Sequence, residues 1–323
     1  MPHRASPQSP PPYLFKLLLV VLFMIWSNAF TAIKYLREIF SPMELVCVRF
    51  LPAAAFCLVY LVSRTAARRE SIETVRHAWG KLLGMGLTGV AGYNIFLCLG
   101  QSEVKPGAAA LLTTLSPLFI LILAVVFLRE RVPRSRIAGI VIAFAGLYAV
   151  VRWGSIGLGQ VTVSNAEIKY AMITALAPVC WTVYTILGRT FAGRSSPVTV
   201  TYLSLVFGTV PFIVVVDGPF IQTVLHMEGR YWIALIHLIV LCTIVGFWIW
   251  NAALQYLPAT SVASFIYLNP PFAALSGWLL FSEEITTPFL AGSAVVLAGL
   301  YLAQRAGGGA PRIAIPPPPR QGR

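Results

Sequence analysis

Charge is what this 323-residue chain has least of: lysine, arginine, aspartate and glutamate make up 11% of it, against 58% hydrophobic residues. Soluble globular chains carry about 25% charged residues, and a mean hydropathy of +0.79 leaves more apolar chain than a water-soluble core can hide. The bilayer is the expected solvent. Acid is the scarcer sign, with 11 aspartates and glutamates against 24 lysines and arginines and a net charge of +13. The basic residues fall mainly in short connections between apolar runs, where they set topology. No basic stripe with interleaved aromatics is present, so nucleic acid is not an expected partner. The five cysteines, Cys47, Cys57, Cys98, Cys180 and Cys242, lie inside apolar runs without CxxC or Cys/His spacing. They read as small packing residues, not as metal ligands or a disulfide framework. Walker A, HExxH and GxSxG are missing and no GxGxxG follows a strand, so no enzyme signature is found and neither cofactor nor metal is expected.

What the chain has instead is a series of apolar runs long enough to span a bilayer. Residues 1–14 are rich in proline and serine and read as a disordered tail. The run from Lys16 through Trp26 to Tyr35 is too long for a cleaved leader and reads as a first span. Nine more are expected at about 42–63, 80–101, 107–128, 135–151, 168–188, 197–216, 232–254, 260–281 and 287–304. Their connections are short, apart from a basic loop at 64–79 and a Gly-rich loop at 152–167. A second disordered tail, 306–323, contains Pro316 to Pro319. With the N-terminus in the cytoplasm, 17 lysines and arginines fall in cytoplasmic segments and six on the other side, while Arg49 stays inside a span. Both termini are therefore expected in the cytoplasm.

Two stretches repeat. Leu115-Ser116-Pro117, an apolar run and Glu130 match Leu268-Asn269-Pro270, a similar run and Glu283, 153 positions on. Ala145-Gly146-Leu147-Tyr148 and Ala298-Gly299-Leu300-Tyr301 keep the same offset. Trp26 pairs with Trp181, Lys34 with Arg189 and Ser41-Pro42 with Ser196-Pro197 at 155, and Gly92 with Gly246 at 154. A fixed offset shared by separate landmarks means an internal duplication. Each copy, 15–152 and 168–305, holds five spans around a connecting loop at 153–167. Because five is odd, the second copy enters the membrane from the opposite side. The expected fold is an all-α polytopic membrane protein of ten transmembrane helices in two inverted five-helix repeats, with a binding site near the midplane between them.

This ordered set resembles the drug/metabolite transporter superfamily, EamA type, over about residues 15–305. The features that carry the resemblance are the 5 + 5 inverted repeat, Trp-x7-basic (Trp26 to Lys34, Trp181 to Arg189), Pro-x12-Glu ending helices 4 and 9, and Gly-x5-Ala-Gly (Gly139 to Gly146, Gly292 to Gly299). It implies a multi-pass secondary transporter of the plasma (inner) membrane. The expected cargo is small organic metabolites, amino acids or related compounds, moved by export. A small-molecule solute and membrane lipid are the implied partners, and nothing in the sequence sets an oligomeric state. The alternatives are an integral membrane enzyme built on Arg49, Glu44 and His237, or a non-transporting membrane receptor or scaffold.

Several residues could carry transport. Pro117 would free the Thr113 carbonyl, and Pro270 and Pro271 those of Ile266 and Tyr267. The two helices then either form bent walls of a cavity or merely pack with a kink. Arg49 lies roughly 12 Å into its span, where a charge costs about 2.5–3.5 kcal/mol and has to face protein or water. Its repeat mate is Ser204, and Glu44 is a candidate partner. Either it binds a substrate carboxylate or it forms a structural salt bridge. Trp26, Asn28, Asn94, Trp181, Tyr184, Trp248, Asn251 and Tyr267 complete the expected binding set, since aromatic walls with a few amides suit a zwitterion or an aromatic metabolite. Interfacial belts are the competing explanation for such aromatics. Pro117 with Glu130 and Pro270 with Glu283 read as hinge-and-gate elements, one per membrane face. Glu130 reads equally well as a loop carboxylate solvated among Arg129, Arg131, Arg134 and Arg136. With no carboxylate in mid-span, a carboxylate proton relay is not expected. His237 could titrate near neutrality, although a lone histidine is more often structural.

Overall fold

An apolar chain without water around its backbone has to close its hydrogen bonds within each segment. Residues 12–100, 112–153, 165–269, 271, 272, 275 and 287–305 are described by the computed structural model, and every element among them is a helix. Six segments are long and apolar enough to cross a membrane: Tyr13–Leu36, Pro42–Ser63, Thr65–Gly100, Met172–Arg189, Pro197–Val215 and Gly229–Tyr256. Ser116–Leu128, Ala259–Leu268 and Leu290–Arg305 are shorter apolar helices. Val214 (87% exposed), Ile233 (78%) and Phe127 (70%) turn apolar side chains outward, as a protein solvated by lipid requires. The protein is a multi-pass membrane protein.

The first crossing is α1 (Pro12–Ser27) followed by α2 (Ala29–Leu36). In α3 (Pro42–Ser63) a capping box fixes the start: the Glu44 N–H donates to Ser41 Oγ at 3.3 Å, and the Ser41 N–H donates to Glu44 Oε2 at 2.7 Å. Next come α4 (Thr65–Met85), a π-helical turn over Gly86–Gly92 and α5 (Tyr93–Gly100). The stretch 64–79, expected as a loop, is thus largely helical. It holds neither proline nor glycine between Thr65 and Trp79, and its Ala, Arg and Glu residues favour helix. A kink at Ala78 (φ −147°, ψ 27°) separates this polar helix from the apolar part that follows.

The chain goes on through α6 (Ser116–Leu128), α7 (Arg134–Trp153), α8 (Asn165–Arg189) and α9 (Pro197–Thr209), which tightens to a 3₁₀ turn over Val210–Val215. A short α10 (Gly218–Leu225), absent from the expected elements, is capped by Asp217, whose Oδ1 accepts the Phe220 N–H at 2.9 Å. The last segments are α11 (Gly229–Ile236), a second π-helical turn over His237–Val245, α12 (Gly246–Tyr256), α13 (Ala259–Ser264), a 3₁₀ turn over Phe265–Leu268 and α14 (Thr287–Arg305).

Irregular backbone recurs at the repeat offset. The first π turn ends at Gly92 and the second ends just before its mate, Gly246. Likewise, the turn before α6 (the Leu115 N–H donates to the Leu112 carbonyl at 3.2 Å) matches the 3₁₀ turn at Phe265–Leu268. Pro117 therefore sits in the first turn of α6 and not inside a continuous helix. The Thr113 carbonyl that it was expected to free accepts the Ser116 hydroxyl at 2.8 Å. Pro270 and Glu283 lie outside the described residues, as do most of the two tails and of the connecting loop.

The glycine pattern of the last helix in each copy has a packing role. α7 crosses α14 so closely that a Cβ on Gly139 would lie 2.5 Å from the Ala303 nitrogen, and one on Gly299 would lie 2.4 Å from the Ala143 nitrogen. Small residues allow this backbone-to-backbone approach. Both ends of the described chain share one face, where Lys16 Nζ donates to the Gln304 carbonyl at 3.5 Å. We refer to it as the terminal face.

Candidate functional site

At the centre of the bundle the repeat-matched tryptophans meet. The rings of Trp26 and Trp181 pack edge to face with centroids 5.4 Å apart. Gly246 clears the space, since a Cβ there would lie 2.5 Å from Trp26 Nε1. The second π turn fixes the indole. The Gly246 N–H bonds to the Leu241 and Thr243 carbonyls, and the Cys242 carbonyl between them accepts Trp26 Nε1–H at 2.9 Å. Tyr93 (5.2 Å) and Phe247 (5.5 Å) close on Trp181, and Phe23 (5.5 Å) closes on Trp26. These rings and Phe30 wall a cavity with about 60 Å³ of space for water-sized groups, whose polar lining is Arg49, Asn94, Thr113, Ser116 and Asn269.

Arg49 supplies the charge. It is 8% exposed, and each π turn contributes to its support. After the first, Asn94 donates its amide hydrogens to the Gly89 and Val90 carbonyls (3.3 and 2.9 Å), which leaves Oδ1 to accept from Arg49 Nη1 at 3.3 Å. Within the second, Thr243 donates its hydroxyl to the Leu238 carbonyl at 2.8 Å and accepts from Arg49 Nε at 2.8 Å. π turns leave carbonyls out of the regular helix ladder, and here side chains that bond to those carbonyls also hold the arginine. Glu44, the candidate ion-pair partner, is engaged in the α3 capping box, and no carboxylate pairs with Arg49 among the described residues. A guanidinium has five N–H donors, so this one keeps hydrogens for the cavity. The enzyme-like trio of Arg49, Glu44 and His237 is not assembled.

A second polar cluster lies on the far side of Trp181. Tyr184, fully buried, stacks on Trp181 at 5.0 Å, and its hydroxyl accepts from Asn251 Nδ2 at 2.6 Å. The same amide nitrogen reaches Thr201 Oγ1 (3.0 Å) and the Phe247 carbonyl (3.1 Å). Ser204, the repeat mate of Arg49, is fully buried beside Tyr184 and donates to the Thr201 carbonyl at 2.8 Å. Everything in this cluster is neutral, and none of it lines the cavity.

Of the expected binding set, the structure brings Trp26, Arg49, Asn94 and Trp181 together on the cavity, and places Tyr184 and Asn251 one layer behind it. Three others lie elsewhere. Asn28 turns back to donate to the Met24 carbonyl at 2.9 Å. Trp248 is half-buried off the cavity, and Trp250, about 200° further round the helix, is the fully buried ring that packs 5.2 Å from Trp181. Tyr267 packs with Ile140, Ala143 and Val296 against the α7–α14 seam. The sequence reading missed Tyr93, Thr243 and Phe247. Two of these adjoin matched glycines, at Gly92 and Gly246, which was the available signal.

At the terminal face, charged side chains bind helix ends. The left-handed φ of Arg129 (53°) turns the chain at the end of α6. Glu130, 6% exposed, then accepts from the Ala259 N–H (2.8 Å), the Thr260 N–H (3.4 Å) and the Thr260 hydroxyl (3.0 Å). This corrects the reading of Glu130 as a solvated loop carboxylate: it caps α13, where the helix dipole favours an anion. Arg136 donates to Thr260 Oγ1 and to the Ala303 carbonyl, both at 3.3 Å. Glu70 caps α9 in the same way, accepting from the Ser196 N–H, the Ser196 hydroxyl (3.0 Å) and the Thr199 hydroxyl (2.9 Å). Arg189 takes the opposite pole, donating to the Leu254 carbonyl at 2.6 Å where α12 ends. Its repeat mate Lys34 is exposed.

A model of the EamA-like transporter family matches residues 14–152 and 168–304. An uncharacterized transporter of Archaeoglobus fulgidus is 28% identical over 292 residues, covering 90% of this chain and 98% of its own. A protein of Streptantibioticus cattleyicolor named a probable terminal-alkyne amino-acid exporter is 27% identical over 291 residues, covering 89% and 92%. One named a probable amino-acid metabolite efflux pump, from Escherichia coli K12, is 24% identical over 294 residues, covering 88% and 93%. A solved crystal structure shares the fold at a TM-score of 0.70 and 18% identity, covering 91% of this chain and 96% of that one.

Proposed function

The chain belongs to the EamA-like transporter family, and we propose that it is a secondary transporter exporting small organic carboxylates, amino acids or related metabolites, across the inner membrane. The observation that carries this reading is Arg49: a guanidinium 8% exposed, facing an aromatic-walled cavity, with no carboxylate paired to it among the described residues. Removing a charge from water costs several kcal/mol, and a bound carboxylate is the group that offsets this most directly, through two parallel N–H···O bonds. Trp26, Trp181 and Phe247 then contact the apolar body of the solute. The names of the relatives from Streptantibioticus cattleyicolor and Escherichia coli support amino acids and the direction of export.

In this reading ten helices form two inverted repeats, 15–152 and 168–305, and alternating access moves the site between the two membrane faces. The terminal face is the cytoplasmic one. Arg49 lies nearer to Pro42 than to Ser63 and Asn94 nearer to Gly100 than to Thr65, so the cavity lies toward the outer face while the capped helix ends close the inner one. The recurrence of both π turns at the repeat offset supports a duplicated mechanism. Proteoliposomes loaded with a labelled panel of amino acids and their keto acids test the proposal: wild type releases at least one of them unchanged and Arg49→Ala releases none. Equal release from both would remove Arg49 from the site, and no release of any carboxylate would remove the substrate class.

A further inference from the structure

His237 opens the second π turn, and contacts tie it to the cavity on two routes. Its Nε2 lies 3.2 Å from Cys242 Sγ, and its ring also reaches the Ile25 carbonyl at the end of α1. Cys242 holds Trp26 through its carbonyl, and the next residue, Thr243, holds Arg49. The imidazole is thus linked through one short stretch of backbone to both the aromatic wall and the guanidinium. It is half-buried, which gives a proton a way in. Beside it are Cys242 from its own turn and the Ile25 carbonyl, and Arg49 is near enough for its charge to act on the ring. Other titratable groups on the packed elements α1, α2, α11 and α12 are directed elsewhere: Lys16 donates to the Gln304 carbonyl and Tyr256 stacks on Phe15. Tyr35 stacks on Tyr231, Tyr231 donates to Glu38, Arg230 pairs with Glu228, and Lys34 is exposed. On α3 Glu44 serves the capping box. No aspartate or glutamate lines the cavity among the described residues.

We propose that His237 is the proton-coupling residue of this transporter: a proton on its ring and an organic anion on Arg49 are taken up together and released together. The inference rests on the reading of Arg49 as the carboxylate site. A cation on His237 opposes the charge of Arg49 while the cavity is empty, and an anion on Arg49 removes that opposition. Whatever the proton does for the anion, the anion does equally for the proton. The step moves one proton from hydronium in the bulk solvent to the imidazole: an O–H bond breaks, an N–H bond forms, water is left, and no other bond changes. In the protonated ring Nε2 carries a hydrogen, and the Cys242 sulfur 3.2 Å away is placed to accept it. The anion then leaves as an electroneutral pair with its proton, so export runs on the outward cargo gradient and carries protons with it, in a chain without a mid-span carboxylate.

The test uses the purified full-length chain in detergent, with 3-phenylpropionate as the anionic probe and tryptophan fluorescence as the readout. Affinity is measured from about pH 8 to about pH 6, where the probe stays ionised and histidine titrates. We expect wild type to bind at least about fivefold tighter at the acid end, and His237→Gln and His237→Asn to bind with one affinity throughout, matching wild type at the alkaline end. In weak buffer the wild type takes up protons as the probe binds, a measurement that needs no variant. Loss of binding in Arg49→Ala together with an unchanged pH profile in both histidine variants, or no proton uptake by wild type, overturns the coupling and leaves the Arg49 site standing. Absence of binding at every pH, or binding that Arg49→Ala leaves intact, overturns the carboxylate site and the coupling with it.

Discussion

Two polar clusters flank the paired tryptophans, and they are built for different ends. Beside Trp26, Arg49 is held by Asn94 and Thr243 and turns toward the cavity. Beside Trp181, Ser204 occupies the matching position, and Tyr184, Asn251 and Thr201 bond to one another away from the cavity. The first cluster buries a charge with hydrogens to spare, whereas the second buries only neutral groups. A buried charge without a counter-ion is costly, so selection for stability alone would favour the second arrangement on both sides. The proposed site rests on this difference: a buried charge with hydrogens to spare suits a ligand, whereas neutral groups bonded to one another suit a brace.

The widest separation between the clusters should come from the mated positions. Arg49→Ala should weaken carboxylate binding on the order of a hundredfold, the cost of truncating one partner of a buried charged contact. Ser204→Ala should change it by less than about twofold, with only a small shift in thermal unfolding. Equal losses from both, measured by probe titration, would make the clusters functionally alike. Next come the two threonines. Thr243→Val removes the acceptor on Arg49 Nε and should weaken binding about tenfold, as expected for a hydrogen bond to a charged group. Thr201→Val should instead lower stability by about 0.6–1 kcal/mol and leave affinity in place, as compared by thermal unfolding in detergent. The smallest effect on affinity is expected at Trp248, which is half-buried off the cavity: Trp248→Ala should lower stability by about 1–2 kcal/mol and bind as wild type does. A large loss of binding there would place the solute on a face of α12 that the cavity does not reach.

Legibility from sequence followed distance along the chain. Apolar run length sufficed to find the six segments long enough to cross a membrane among the described residues, because in lipid the backbone has no alternative to helix. The depth of Arg49 and the match of Trp26 with Trp181 could both be counted along one segment or one offset. Side-chain direction beyond the π turns could not. A π turn adds a residue to the helix ladder, so periodicity counted through it points to the wrong face, and Trp248 stood in for Trp250 while Thr243 and Phe247 went unnoticed. The helix at 64–79 was hidden by its polarity, since apolar runs were the signal for helix. The burial of Glu130 depends on Ala259 and Thr260, which are far away in sequence. Nothing near Glu130 distinguishes a cap from a solvated side chain.

The seam between α7 and α14 has a mechanical consequence. Where Gly139 and Gly299 bring backbone against backbone, there are no long side chains to swap rotamers and act as a bearing, so sliding would lift whole turns out of register. The two helices therefore behave as one beam. Any rearrangement that frees Glu130 and Arg136 from Thr260 has to carry this beam intact, because Arg136 is anchored to it at the Ala303 carbonyl. The ladder is already interrupted beside this beam, at the turn before Pro117 and the 3₁₀ turn before Asn269, and bending there would leave the beam whole.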